Sequence, residues 1–242
     1  MVAPFLLSKQ KEKFMSYKAY ETIKYFEQYD GERIYIKSDK AQFDILFNKF
    51  AIPHLLGMQY MYESGIVNGR LVYIDENNRK MSGKKIYDSI LVGMSDEEIF
   101  ERIKKNNPSM LSSIKNRIET FTHFMKNLEN GYIVENVKTD NLGGKVNYFV
   151  VQDDNGNYNH LGIKSENGID IIDGYNENTS KLITYFKRKD NIYFDGSKIH
   201  EDITLIEVYD RDLESYIPFS FDKEKNERLR DNRPPKGQGL IR

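Results

Sequence analysis

The chain has 242 residues, enough for one large domain or two small ones with a sizeable core. Its formal net charge is −1, so bulk charge gives no support to a protein that rides on a phosphate backbone, although a local basic cleft stays open. Cysteine is absent, which removes disulfides, thiol nucleophiles and cysteine-based zinc sites together and fits a reducing cytoplasm. No apolar run approaches the roughly 20 residues of a membrane helix. The opening Met1–Leu7 lacks the basic lead-in of a signal segment, so a soluble cytoplasmic protein with no membrane partner is expected.

Residues 8–29 place Phe14, Tyr17, Tyr20, Tyr25 and Phe26 at imperfect helical spacing and read as an amphipathic segment closed by Asp30–Gly31. Arg33–Lys37 alternates and reads as a strand. Phe43–Met58 is the longest dense apolar run in the chain. Its pattern predicts a helix over Phe43–Phe50, a break at Ala51–Ile52, and a second helix opening at Pro53, whose preset φ and missing N–H suit a first turn. His54 then lies in that first turn, where the positive helix end favours neutral imidazole and a lowered pKa. Two roles are open for it. It is a working acid–base group, or it is a buried residue that donates one hydrogen bond and turns a corner, the commoner fate of a lone histidine among apolar residues.

Gly65–Gly69 reads as a turn into a short strand, Leu71–Ile74, and Lys84–Leu91 as a short helix. Ser95 and Glu98 form a capping box for a helix that carries Ile99, Phe100 and Ile103 and stops before Asn107–Pro108. Leu111, Ile114, Ile118, Phe121, Met125 and Leu128 recur at three and four, the clearest helix in the chain, with Arg117 and Lys126 facing away from the stripe.

From Tyr132 the period changes to two. Tyr132–Lys138, Val146–Gln152, Tyr158–Lys164, Ile169–Ile172, Leu182–Arg188, Ile192–Phe194 and Ile203–Tyr209 read as strands between turns rich in Asn, Asp and Gly. Helices followed by consecutive strands predict an α+β fold, with N-terminal helices packed on a C-terminal antiparallel β-sheet meander. Residues 223–242 carry seven cations against three anions, net +4, with Pro234–Pro235 among them. They read as a basic flexible tail that either touches nucleic acid or an acidic partner or is simply solvated. The expected organisation is a helical segment over 1–30, one α+β domain over 31–222 and the tail over 223–242.

The run Ile52–Pro53–His54–Leu55–Leu56–Gly57–Met58, after its aromatic lead-in, resembles the F-P-H-L-L-G-L element of certain phage-encoded nuclease-like domains. These are the domains grouped with barnase, EndoU, colicin E5/D and RelE, the fourth phage subfamily of that group. The downstream order is similar too: Lys84–Lys85–Ile86–Tyr87, then Ile114–Lys115–Asn116–Arg117–Ile118 in a long helix, then strands, then Tyr216–Ile217–Pro218–Phe219–Ser220–Phe221. The resemblance spans roughly Arg33 to Phe221 and is most specific at its first and last motifs. It implies an α+β fold and a metal-independent ribonuclease used in conflict between phage and host, with RNA such as tRNA as its partner in the host cytoplasm. Carried over by position, His54 is base or acid, Ser220 a donor to a phosphate oxygen, Arg117 the cation, and Tyr87 a further motif residue. The chain departs from a bare domain in its N-terminal segment and basic tail. The alternative is a non-catalytic phage protein on the same scaffold that binds and inhibits a host defence protein or nuclease; the 17 tyrosines fit an interface of that kind.

The rest of the chain adds little chemistry. No P-loop, dinucleotide fingerprint, HExxH or nucleophile elbow occurs, and no cofactor or metal is called for. Asp153–Asn157 has the composition of a calcium loop without its alternating ligands and reads as a hairpin turn. Metal-independent RNA cleavage needs a base for the 2′-OH, an acid for the leaving oxygen and a cation for the developing charge. Besides His54 the chain has His123, which reads as structural beside Phe124, His160, which faces away from Leu161 and Ile163 toward solvent or a cleft, and His200 in a polar connection. No spacing ties the four together.

Overall fold

The computed structural model describes residues 16–67, 69–135, 146–165, 171–172, 175–176, 179–189 and 200–231. Its helices are α1 (Lys18–Glu27), α2 (Ile52–Leu55), α3 (Gly83–Leu91), α4 (Asp96–Asn106), α5 (Leu111–Lys126) and α6 (Lys223–Asp231). Strands are β1 (Arg33–Lys37), β2 (Gln42–Leu46), β3 (Glu63–Val67), β4 (Arg70–Ile74), β5 (Tyr132–Glu135), β6 (Asn147–Gln152) and β7 (Tyr158–Ser165). They continue with β8 (Ile171–Ile172), β9 (Tyr175–Asn176), β10 (Thr179–Arg188), β11 (His200–Asp202), β12 (Leu205–Asp210) and β13 (Ser215–Pro218). The architecture is α+β, as the sequence predicts, with one helix, α6, beyond the last strand.

Nine strands form one sheet in the order β11-β5-β6-β7-β10-β2-β1-β12-β13. Every neighbouring pair is antiparallel except β10 with β2, a parallel seam of two residue pairs, Thr179 with Asp44 and Ser180 with Ile45. Two antiparallel blocks are thus joined along a short line. The N-terminal β1 and β2 lie inside the sheet rather than outside a C-terminal meander. Strands β3 and β4 form a separate two-stranded ribbon, and β8 and β9 another. The expected strand at Ile192–Phe194 lies outside the described residues.

The predicted helix over Phe43–Phe50 is instead strand β2. Phe43 and Ile45 are buried while Gln42 and Leu46 are exposed, the period of a half-covered strand. Asp44 points to the other face and pairs with Arg33 of the neighbouring β1, Arg33 Nη2 lying 2.7 Å from its carboxylate. Backbone pairing with β1 decides the matter, because the apolar run itself suits either period. The predicted turn at Gly65–Gly69 is likewise mostly strand, with only its end, at Gly69, turning.

The main core lies between the helices and one face of the sheet. Phe26 of α1 is fully buried there, with ring centroids 5.2 Å from Phe121, 6.1 Å from Phe47 and 6.2 Å from Phe221. Helix α1 belongs to this core through Ala19, Ile23 and Phe26. Its free N–H groups are capped from another helix: Asp96 accepts from the backbone N of Lys18 and of Ala19, each at 3.0 Å. The capping box of α4 forms as read, Ser95 and Glu98 each accepting from the other's backbone N–H.

The opposite face carries a second apolar cluster of Val134, Val146, Tyr148 and Val150. His160 is fully buried on that side and stacks on Phe186, centroids 4.9 Å apart and planes 8° from parallel. It therefore borders neither solvent nor a cleft. His123 is exposed on α5, and the backbone of His200 pairs with Val134.

The first nine residues of the expected tail form α6, whose Asn226 is buried and accepts from the Ser220 backbone N–H. Among the described residues, no helix is long and apolar enough to cross a membrane.

The β6–β7 connection is the expected hairpin turn. The Asp153 carboxylate accepts from the backbone N–H groups of Asn155 and Asn157, at 3.0 and 2.9 Å, and lies 2.6 Å from Lys187 Nζ. Burial alone would raise its pKa, but Lys187 and the turn donors outweigh that and lower it to about 2. A carboxyl depressed from 3.8 stabilises the fold fully above about pH 4 and loses that contribution as the pH falls through about 2. Asp153→Asn is expected to cost at most about 2 kcal/mol in urea unfolding at pH 7 and to lie closer to wild type at pH 2. An equal cost at both pH values would contradict the ion-pair account.

Candidate active site

The motif around His54 folds as a short helix between two turns. A 3-10 turn, Lys49–Ala51, is capped by the Asn48 side chain, which accepts from the Phe50 backbone N–H at 2.8 Å. Pro53 sits at the start of α2, as expected. Gly57 then takes a left-handed conformation, φ +83°, and sends the chain into the 3-10 turn Met58–Met61. A Cβ at Gly57 would lie 2.9 Å from Ile114 Cγ1 and 3.6 Å from Arg117 Nη1, so the glycine also lets α5 approach closely.

Arg117 is half-buried beneath α2 rather than facing solvent. Its Nη1 donates to the Leu55 carbonyl at 3.3 Å, near the end of α2. Its Nε is buried without an acceptor, and among the described residues no carboxylate lies within ion-pair distance of it. Burial lowers its pKa from the ordinary value, and the nearby hydroxyls of Tyr60 and Tyr185 act the other way. Arginine stays protonated under any such shift at neutral pH. The result is a guanidinium that lacks a counter-charge among the described residues.

His54 keeps an exposed edge, yet its ring is crowded enough that burial is the largest influence on it and lowers its pKa. The charge of Arg117 lowers it further, and the Ile183 backbone, facing the ring as an acceptor, partly offsets both. The direction matches the sequence reading, but the causes are desolvation and Arg117 rather than the dipole of a four-residue helix. Ile183 is available because β10 bulges there: Leu182 pairs with Ile163 and Thr184 with Gly162, and the register skips the residue between.

Tyr185 fixes α5 against β10. It is fully buried, with its hydroxyl 2.7 Å from Thr120 Oγ1 and 3.1 Å from Asn159 Oδ1. Tyr60, one turn past Gly57, packs edge-on against Tyr73 of β4, centroids 5.5 Å apart. Neither tyrosine was singled out from the sequence. Tyr60 stands three residues past Gly57, a spacing that signals proximity; nothing local marks Tyr185 or the bulge.

The structure therefore brings His54 and Arg117 together. It places the other two motif residues in different settings. Tyr87 is buried, donates its hydroxyl to Glu27 Oε1 at 2.7 Å and packs on Phe50, and burial raises its pKa. Ser220 is 2% exposed, and its Oγ accepts from the Asp222 backbone N–H at 3.2 Å, in the turn that opens α6. Among the described residues, no group of three or more His, Asp or Glu side chains is arranged to hold a metal ion.

No curated protein and no solved structure matches this chain. One family does: its sequence pattern matches residues 18–225, from the first residue of α1 into α6. With every described strand, helices α1 to α5 and the His54 motif inside that span, the chain belongs to the family described as phage-Barnase-EndoU-ColicinE5/D-RelE like nuclease4.

Proposed function

We propose that the protein is a metal-independent endoribonuclease of phage or mobile-element origin, acting on RNA such as tRNA in the host cytoplasm during phage–host conflict. The observation that carries this reading is the half-buried Arg117, with no carboxylate at ion-pair distance among the described residues, beside His54. A desolvated cation without a counter-charge is unfavourable until an anion arrives, and a phosphodiester supplies one. Burial and, after it, the same cation favour neutral His54, which is the state a general base needs.

In the reaction His54 takes the proton of the 2′-OH, and the 2′-oxygen attacks phosphorus. Arg117 neutralises the charge that develops on the phosphoryl oxygens. The 5′-oxygen leaves with a proton from an acid, and a 2′,3′-cyclic phosphate remains. The family membership supports a nucleic-acid substrate.

The test is incubation of the purified protein with total tRNA and ribosomal RNA in EDTA. Cleavage by wild type is expected, slowed about 10²–10³-fold by Arg117→Ala, with circular dichroism confirming that the variant folds. The absence of cleavage of any RNA would end this reading.

One observation favours a second reading, a non-catalytic phage protein that binds and inhibits a host defence protein. Ile66 and Leu71 face each other across the β3–β4 ribbon and are 78% and 69% exposed, a pairing common where another protein docks. Under that reading RNA stays intact and a pull-down from host lysate retains one partner, lost on Ile66→Ser with Leu71→Ser.

A further inference from the structure

The ribbon's other face is built differently. Val67 and Arg70 are directly paired, Val72 lies two residues beyond Arg70, and Lys80 is bridged to Ile74, two residues further still. The period of two puts all of these side chains on one face. Val67, Arg70, Val72 and Lys80 line an open recess of about 410 Å³. Arg70 and Lys80 are both exposed, and among the described residues neither has a carboxylate within ion-pair distance. Neighbouring cations are engaged: Arg79 with Asp75 at 2.8 Å, and Lys84 with Asp88 at 2.7 Å. Lys85 Nζ donates to the Lys80 carbonyl at 2.9 Å and so brings a third positive charge to the rim.

The ribbon is also tied to the candidate active site. Gly57 approaches Arg117, Tyr60 follows one turn later, and its ring rests on Tyr73 at the root of β4. Arg70 stands three residues toward the tip from Tyr73, about 10 Å along the strand and on the ribbon's opposite face. We propose that the β3–β4 ribbon is an arm that holds RNA outside the cleavage site, with Arg70 and Lys80 binding backbone phosphates of the strand that flanks the scissile linkage. This rests on the nuclease reading. Two unneutralised cations with valines between them suit a polyanion that also carries apolar surface. An acidic protein is the other occupant such a face could take.

The experiment measures binding of a fluorescein-labelled single-stranded RNA to the full chain carrying His54→Ala, by anisotropy across a salt series. Cleavage by wild type is followed in parallel. Adding Arg70→Gln with Lys80→Gln is expected to weaken binding and to reduce the slope of log affinity against log salt by about 1.4, for two lost contacts to a single strand. Between 50 and 200 mM salt the ribbon variant then loses about sevenfold less affinity than its parent. Lys37→Gln with Arg211→Gln, at the end of β1 and in the β12–β13 turn, serves as the control and is expected to leave the slope unchanged. Both ribbon side chains are exposed, and thermal unfolding confirms that the variant folds. If wild type cleaves RNA but the ribbon variant binds with an unchanged slope, the arm is wrong and the nuclease reading stands. If the parent does not bind RNA and wild type does not cleave it, both fall, and the recess passes to an acidic protein partner.

Discussion

Replacing His54 by alanine is expected to slow RNA cleavage by about 10²–10⁴-fold, the usual worth of a positioned acid–base group. The fold is expected to survive, because the ring has an exposed edge and a backbone partner rather than a place in the core. The pH profile carries more information than the loss itself. Burial and Arg117 both favour the neutral imidazole, so its pKa in the protein lies below 6.5. A base with that pKa gives a rate that rises from acid pH, passes its inflection below 6.5 and is flat near neutrality. A group acting as the acid would instead lose activity above the same inflection. Arg117→Gln removes the second cause and is expected to move the inflection upward. His54→Ala cleaving at the wild-type rate, in a preparation free of contaminating nuclease, would remove His54 from the mechanism.

Gly57→Ala is expected to destabilise the protein by about 2–5 kcal/mol. A left-handed backbone costs a residue with a Cβ about 1–2 kcal/mol, and φ at Gly57 is +83°. The new methyl would also sit 2.9 Å from Ile114 Cγ1, an overlap worth about 1–3 kcal/mol in a packed interior. Urea unfolding of Gly57→Ala, Ile114→Ala and the double variant separates the two contributions. The steric part should be recovered in the double variant, while the backbone part should remain. A cost under about 0.5 kcal/mol would show that neither operates.

How much of this was legible in the sequence depended on how local the cause was. The capping box at Ser95 and Glu98 was readable because both partners lie within four residues. The stripe of α5 was readable because six apolar residues repeat with one period. Phe43, Ile45, Leu46 and Phe47 fit a helix as well as a strand, and what decides between them is pairing with β1 on one side and β10 on the other, the latter more than a hundred residues away. Gly65 hid β3, since an isolated glycine reads as a turn until its partner strand is known.

The candidate site divides in the same way. Pro53 and Gly57 frame His54 within five residues, so the motif announced itself. The setting of Arg117 did not, because the stripe of Ile114, Ile118 and Phe121 defined the buried side of α5 and left arginine outside it. Only the descent of α2 over that flank, permitted by Gly57, encloses the guanidinium. The buried hydroxyl of Tyr185 needs Thr120 and Asn159, contributed by two other elements, and no window along the chain contains all three.

The backbone that faces His54 belongs to the one residue of β10 that the ladder leaves over. Exchanging the side chain of Ile183 leaves that carbonyl in place, so the contact is indifferent to which amino acid stands there. It is sensitive to the count. Deleting a single residue between Leu182 and Thr184 would close the ladder, return the carbonyl to a neighbouring strand and take it from the imidazole. The feature is written in the length of a strand rather than in any letter of it, and related chains that share it would agree in spacing while differing freely in composition.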